Sequence, residues 1–367
     1  MTEQVLNQYF PEVVSCPGES IADLLEEREM TQKRLAFLMN RPVKTINEII
    51  KGKAAITPET AIQLERVFGA PASFWINREA RYREALARQA EWDKLRSCKS
   101  WLKELPLADM KRWGWVPSRH DIGAQVEECL KFFGVADVDA WRREYLPPMA
   151  AFRAASTIGE HPGAVAAWLR QAQHEAEKIA CAPFDPERFQ TAMSALRGNC
   201  QLTDPKEMID TIVSNCAPAG VAVVIVRTPR GCPAFGATRW LSPTKALMAL
   251  SFRYLTNDVF WFSLFHEAAH ILLHRKLHPL IIEFKGFDNE FESEADRFAA
   301  DFLIPPGEAA HLETLRTATE ITSFANRLGI APGIVVGRLQ HEGRIKFNQF
   351  DSLKVRYAWV LEDADGA

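Results

Sequence analysis

The chain has 367 residues, 47 % hydrophobic and 25 % charged, with a formal net charge of −3. That is material for two or three domains with ordinary cores, and it excludes a global basic field, so any nucleic-acid site must be a local patch. The first residues carry no basic leader and no run reaches about 18 uncharged apolar residues, so a membrane role is not expected and a cytoplasmic protein is. Seven cysteines stand at least 16 positions apart, odd in number and with no CxxC, which predicts reduced, mostly buried thiols.

In chain order, the punctuation is dense from Pro17. Ser20 and Asp23 resemble a capping box for a helix through about Arg28. Thr31-Gln32 opens a short second helix, Lys33 to Met39, with Leu35, Ala36 and Leu38 on its apolar side. Asn40-Arg41 turns the chain, and Pro42 suits the first position of a third helix that ends before Gly52. Thr57-Pro58 starts a fourth helix to Phe68, and a fifth runs from Ser73 to about Gln89. Five short helices with a tight turn between the second and third fit a helix-turn-helix that lays its third helix in the major groove.

The third helix divides into two faces. Ile46, Ile49 and Ile50 predict a core side, leaving Lys44, Thr45, Asn47, Glu48 and Lys51 outside. Between Arg28 and Lys53 there are seven Lys/Arg against two Glu, a local net of +5, the kind of patch that phosphate contacts need. Lys44, Thr45 and Asn47 are the candidate base readers, with Gln32, Lys33, Lys51 and Lys53 for the backbone of double-stranded operator DNA. The competing reading is an interaction module with a solvated basic face.

This stretch resembles the Xre-type helix-turn-helix of HigA-like antitoxins in Pro17-Gly18, Met30-Thr31-Gln32, Leu35-Ala36, Ile49-Ile50-Lys51-Gly52-Lys53, Thr57-Pro58-Glu59-Thr60-Ala61 and Phe74-Trp75-Ile76-Asn77. The resemblance implies a homodimer on a palindromic operator, with Phe74, Trp75 and Tyr82 as aromatic material for its interface.

Residues 91 to about 218 read as helices broken by proline-rich turns, among them Ser97–Leu105, Ile122–Phe133, Pro162–Cys181 and Pro186–Arg197. Tryptophans 92, 101, 113, 115, 141 and 168 are expected to pack between helices rather than stack on bases. His120, His161 and His174 lack ligand spacing. The region reads as an all-α spacer or sensor.

The C-terminal third opens with a helix, Pro205–Cys216, followed by Gly220–Val226, an unbroken β-branched run and hence a buried strand. Phe235–Leu241 and Ala246–Phe252 are two further strands. A helix from Asn257 to about Arg275 follows, apolar nearly all round and therefore buried, and it carries His266-Glu267-Ala268-Ala269-His270. Histidines four apart share one helical face, roughly 6 Å apart, which suits two imidazoles closing on one Zn²⁺. Glu267 between them is placed to serve as general base toward water at that ion. A row of His266, His270 and His274 would span about 12 Å of helix, too long for one ion. His274 is therefore expected at the border of the cleft or behind the ligands.

The third ligand is sought on a helix from Asn289 to Ile304. Its apolar residues Phe291, Ala295, Phe298, Ala299 and Phe302 centre on one direction; Glu292 falls roughly 60° from it, Glu294 and Asp296 roughly 100°. Glu292 ranks first and Glu294 second. Arg253 and Asp258 have no spacing argument, and His341, ending a helix begun after Pro332, is a candidate for oxyanion stabilisation. The segment 275–289, with Gly286, is a candidate plug for the cleft.

Phe265–His270, Glu292–Ala300 and Ile304-Pro305 together resemble the ImmA/IrrE family of metallo-endopeptidases over about Gly220 to Arg344. The resemblance implies His266, His270 and Glu292 as zinc ligands and Glu267 as base; Ala268-Ala269 stands where relatives often have Leu-Gly or Ala-Gly. It also implies selective cleavage of a partner repressor, antitoxin or toxin in a stress, phage-defence or toxin–antitoxin setting. The expectation is thus a mainly α, multidomain protein: a helix-turn-helix domain at 1–90, an all-α region at 91–204, and an α+β zincin-like (gluzincin-type) domain at 205–367. The alternative is a repressor or antitoxin whose C-terminal domain binds a toxin or ligand without cutting it.

Overall fold

The computed structural model describes residues 15–153, 161–251, 256–275, 280–283 and 290–357. The chain divides into two compact units, Met1–Ser97 and Cys98–Ala367. It is mainly α and multidomain. No helix among the described residues is long and apolar enough to cross a membrane.

The described residues of the first unit form five helices: α1 (Pro17–Glu27), α2 (Gln32–Leu38), α3 (Val43–Ile50), α4 (Pro58–Phe68) and α5 (Ala72–Ser97). Thr31 and Thr57 cap α2 and α4 by accepting from the amides of Arg34 and Thr60. The first helix starts at Pro17, not at Ser20. A proline at the first position loses no helical hydrogen bond, and the Cys16 Sγ accepts from the Gly18 amide, so no capping box at Ser20 is needed. Pro42 sits one place outside α3 rather than in it, and α5 runs past Gln89 to Ser97. The turn between α2 and α3 is made at Asn40, with φ +48°, a conformation short polar side chains tolerate. Gly18 lets α1 meet the end of α3: a Cβ there would lie 2.1 Å from the Ile50 carbonyl oxygen. Ile21, Leu35, Ala36, Ile46, Ile49, Leu64 and Trp75 form the core.

The second unit begins with a short 3₁₀ segment, Cys98–Lys103, and continues through α6 (Leu107–Arg112), α7 (Ile122–Phe133), α8 (Val138–Arg153), α9 (Pro162–Glu177), α10 (Pro186–Gly198) and α11 (Pro205–Cys216). Strands β1 (Val221–Ile225), β2 (Gly236–Ser242) and β3 (Lys245–Leu250) lead to α12 (Asn257–Leu273), β4 (Leu280–Glu283) and α13 (Glu290–Leu303). Three more α-helices follow, α14 (Pro306–Ala309), α15 (Ala318–Leu328) and α16 (Pro332–His341), and then a 3₁₀ turn at Asp351–Leu353.

The sheet has the order β1-β3-β2-β4, with β1 parallel to β3 and β2 antiparallel to both its neighbours. Val221 and Val223 of β1 with Ala246, Met248 and Leu250 of β3 face a core built from α10, α11, α12, α15 and α16. Ala222, Val224, Leu247 and Ala249 face the other way, onto Val165, Trp168 and Ala172 of α9. Both faces are buried, which explains why β1 reads as a continuous apolar run rather than an alternating one.

That packing joins segments from both sides of position 204. A sheet with two apolar faces needs two covers, and α9, from before position 204, supplies one. The expected break at 204/205 therefore lies inside the second unit, and the break at 90/91 lies inside α5. Trp168 donates to the Val226 carbonyl, and Lys245 donates to the carbonyls of Ala176 and Ile179 at the end of α9. Trp101 and Trp141 pack between helices as expected, meeting edge to face at 5.5 Å beside Phe133 and Tyr145.

Three strands are expected, and the sheet among the described residues has four. Leu280–Glu283, inside the candidate plug segment, is an edge strand paired with β2; residues 276–279 and 284–289, with Gly286, lie outside the described residues, as do Phe252 and Arg253.

Candidate functional site

In α12 the large residues Phe260, Trp261, Leu264, Phe265 and Ile271 are almost wholly buried. The helix is enclosed by the sheet, α10, α13 and α16, so any polar side chain on it must find its partners inside the protein. His266 and His270 are 1 % exposed and Glu267 is fully buried. Glu292 reaches the histidines from α13, where it shares the buried face with Ala295 and Ala299.

Nε2 of His266 lies 2.9 Å from Nε2 of His270 and 3.1 Å from Oε2 of Glu292; Nε2 of His270 lies 3.5 Å from Oε1 of Glu292. Ligands about 2.0–2.1 Å from a tetrahedral Zn²⁺ stand about 3.3 Å from each other, so the three edges have the size of one face of such a site. Among the described residues, His266, His270 and Glu292 are the group of His, Cys, Asp or Glu side chains whose donor atoms converge, all within 4.8 Å. Two imidazole nitrogens and a carboxylate oxygen fit a borderline-soft divalent ion with a fourth position left open. Burial pushes the His270 imidazole below its ordinary value, only partly opposed by the Glu292 carboxylate, so its neutral, lone-pair-bearing form is favoured. Burial pushes the Glu292 carboxyl up, but the hydrogen bonds and charges of the two histidines outweigh it and hold it at about 2.

The far ring nitrogens are also engaged. Nδ1 of His266 lies 2.8 Å from Oδ1 of Asp296, and Nδ1 of His270 lies 2.9 Å from Nδ1 of His274. Nε2 of His274 in turn lies 3.0 Å from Oε2 of Glu294. Glu294, the second-ranked ligand by sequence, therefore stands behind His274 and not at the convergent group. Asp296 was missed as an orienting group, although Glu292 and Asp296 carry the same i, i+4 spacing on α13 that the histidines carry on α12.

Glu267 lies against the start of β2. A Cβ on Gly236 would come 2.4 Å from its Oε1 and 2.6 Å from its Cγ, so the bare backbone of Gly236 is what admits the carboxylate there. Nothing in the spacing of β2 pointed to this glycine. A cleft of about 780 Å³ runs along α12, α13 and α16, lined among others by Phe262, Asp296, Arg297, Ile304 and His341. The Phe262 ring lies 6.3 Å from the His266 ring, tilted by 36°, which puts this cleft beside His266. Asp258 is salt-bridged to Lys354 at 2.7 Å, a structural role.

In the first unit, Lys33, Lys44, Lys51 and Lys53 are exposed, and Gln32, Thr45 and Asn47 are half-buried. Asn47 donates to Gln32 Oε1 at 3.2 Å, which sets the middle of α3 beside the start of α2. Lys44 pairs loosely with Glu48 at 3.8 Å. Two members of the counted basic patch are committed elsewhere. Arg28 donates to the carbonyls of Val67 and Phe68 at the end of α4, and Arg41 donates to Gln63. Trp75, expected at a dimer interface, is fully buried and donates to the Ala70 carbonyl, so it belongs to the core. Phe74 is 42 % exposed. All seven cysteines are free, four of them buried, and burial pushes the Cys216 thiol up to about 12.

The folds and sites define a helix-turn-helix unit joined to a metallopeptidase-type unit. The helix-turn-helix family model matches residues 21–75, and the peptidase-family model described as IrrE N-terminal-like domain matches residues 243–340. The chain is 36 % identical over 61 residues to the uncharacterized HTH-type transcriptional regulator YddM of Escherichia coli, covering 17 % of this chain and 65 % of that protein. It is 32 % identical over 74 residues to the virulence-associated protein I of Dichelobacter nodosus, covering 20 % of this chain and 68 % of the relative. Among solved structures it is similar to the Pseudomonas aeruginosa antitoxin HigA with the higBA promoter (29 % identity, 22 % of this chain, 90 % of that one, TM-score 0.22). It is also similar to an addiction module antidote protein of a HigA family from Coxiella burnetii (28 % identity, 22 % of this chain, 90 % of that one, TM-score 0.21). The chain belongs to the helix-turn-helix family through its first unit and carries an IrrE N-terminal-like domain in its second.

Proposed function

We propose that the protein is a DNA-binding transcriptional regulator with a Zn²⁺-dependent endopeptidase activity directed at a partner repressor, antitoxin or toxin. The observation that carries the enzymatic half is the convergence of His266, His270 and Glu292 within 4.8 Å, with Glu267 buried in the same turn of helix. Zn²⁺ held by those three residues would supply Lewis acidity toward the scissile carbonyl and the attacking water. Glu267 would take the proton of that water on its carboxylate and return it to the leaving amine. Burial of Glu267 keeps bulk water away from the base, and the cleft lined by Phe262, Asp296 and His341 would be the route by which a peptide segment approaches. The family match over residues 243–340 supports the same reading.

The DNA-binding half rests on the helix-turn-helix match and on the exposed face of α3. Lys44, Thr45 and Asn47 would read bases, and Gln32, Lys33, Lys51 and Lys53 would hold the phosphate backbone. A homodimer on a palindromic operator accords with helix-turn-helix docking, and a phage-defence, stress or toxin–antitoxin setting accords with a regulator that destroys one partner. The test incubates wild type and Glu267→Gln, each loaded with zinc, with proteins encoded beside this gene. Cleavage by wild type alone is expected; equal cleavage by both overturns the proposed base.

A further inference from the structure

His274, which caps the C-terminal end of α12, has no place in the proposed ligand set, yet it is 2 % exposed and hydrogen-bonded at both ring nitrogens. We infer that His274 and Glu294 are positioning residues that fix the tautomer and ring orientation of His270 through a two-step relay. This rests on the metal centre proposed above. If Nε2 of His270 gives its lone pair to the ion, the ring proton sits on Nδ1. The partner facing that proton at 2.9 Å is Nδ1 of His274, which must then be unprotonated. The proton of His274 is thereby sent to Nε2, where Oε2 of Glu294 accepts it at 3.0 Å.

One carboxylate thus selects the tautomers of two rings in series. Without Glu294, His274 is free to carry its proton on Nδ1, and two N–H groups would then face each other across 2.9 Å. His266 uses the shorter version, a carboxylate directly on its Nδ1 from Asp296 at 2.8 Å. The two ligands of α12 are therefore oriented by carboxylates of one helix, α13, one directly and one through an interposed imidazole. The edge of Phe291 against the His274 ring, 5.0 Å away at 68°, holds that imidazole in plane. Partners of this kind typically change metal affinity 10–100-fold when removed.

The experiment measures zinc affinity by chelator competition and the cobalt(II) absorption spectrum in the full chain, for wild type, His274→Ala, Glu294→Ala, Glu294→Gln and the double alanine variant. His274→Ala is expected to weaken zinc binding by about 10–100-fold. Glu294→Ala is expected to lie at the low end, about tenfold or less, because its carboxylate is half exposed and water can replace it in part. Glu294→Gln, whose amide oxygen still accepts from Nε2, should recover most of that loss. The double variant should be no worse than His274→Ala alone, since Glu294 acts only through His274. Glu294→Ala keeps the relay testable if His274→Ala fails to fold, because its side chain lies at the surface. Wild-type affinity and spectrum in either alanine variant, or a proton on Nδ1 of His274 by ¹⁵N NMR of the zinc-loaded protein, overturns the relay. A wild type that binds no zinc overturns the metal centre itself, a result distinct from failure of the relay alone.

Discussion

The two units place their chemistry in opposite ways. In the first, the candidate contact residues lie within Gln32–Lys53, a short continuous stretch, and most point to solvent. In the second, the candidate ligands lie 26 residues apart on two helices and are almost wholly buried. A surface that reads DNA needs only a small scaffold to hold one helix outward. A metal centre needs walls on every side, and α12 is enclosed by the sheet, α10, α13 and α16. Exposure makes the first site tolerant of substitution and sensitive to salt; burial makes the second intolerant and insensitive.

The largest expected effect is on the buried side. Glu267→Gln should lower turnover by about 10²–10⁴-fold while zinc stoichiometry by metal analysis stays that of wild type. Loss of zinc in that variant would move Glu267 from base to ligand.

Combining His266→Ala and His270→Ala should abolish stoichiometric zinc. It should also remove the zinc-dependent part of the thermal stability, about 2.7 kcal/mol at a free zinc concentration 100 times Kd. A chelator added to wild type should lower its melting temperature toward that of the double variant. If zinc stays bound, the ion lies elsewhere.

Gly236→Ala probes a contact between β2 and α12. Its Cβ must displace the Glu267 carboxylate, so kcat should fall by about 10²-fold with zinc still bound, together with a stability loss of about 1–3 kcal/mol from overpacking. An unchanged kcat would show that Glu267 does not depend on that contact.

On the exposed side the effects are smaller and separable. Asn47→Ala should relax base preference by about 1–3 kcal/mol at one position. Lys51→Ala or Lys53→Ala should each reduce the slope of log K against log salt by about 0.9 in operator titrations, with peptidase turnover unaffected. Arg28→Ala is the sharpest control, since it lies in the counted basic patch but serves the end of α4. It should leave the salt slope alone and cost about 1 kcal/mol in unfolding experiments. A reduced slope for Arg28→Ala would return it to the DNA face.

Much of this was legible in local signals. Helix limits at Ile122–Phe133, Pro205–Cys216 and Pro332–His341 follow from caps, prolines and terminal glycines, all of which act within a few residues. His266, Glu267 and His270 follow from the 3.6-residue period, because one rigid helix fixes their relation. Glu292 over Glu294 followed from the apolar face of α13, since the buried face of an amphipathic helix is set by its own sequence. What the spacing missed depends on partners far along the chain. Trp75 looked like interface material until the core closed around it, and Arg28 looked like a phosphate contact until α4 presented its carbonyls.

The amino-acid sequence alone determined the two classes of unit, the buried helix and the pair of motifs that meet there, because periodicity and capping are encoded locally. Only the tertiary structure decided that α9 belongs with the sheet, that β4 extends it, and that Gly236 admits the Glu267 carboxylate. It also decided that His274 and Glu294 stand behind His270 and that Asp296 stands behind His266. Those are matters of which surfaces meet, and burial of apolar faces between distant segments settles them only when the whole chain packs.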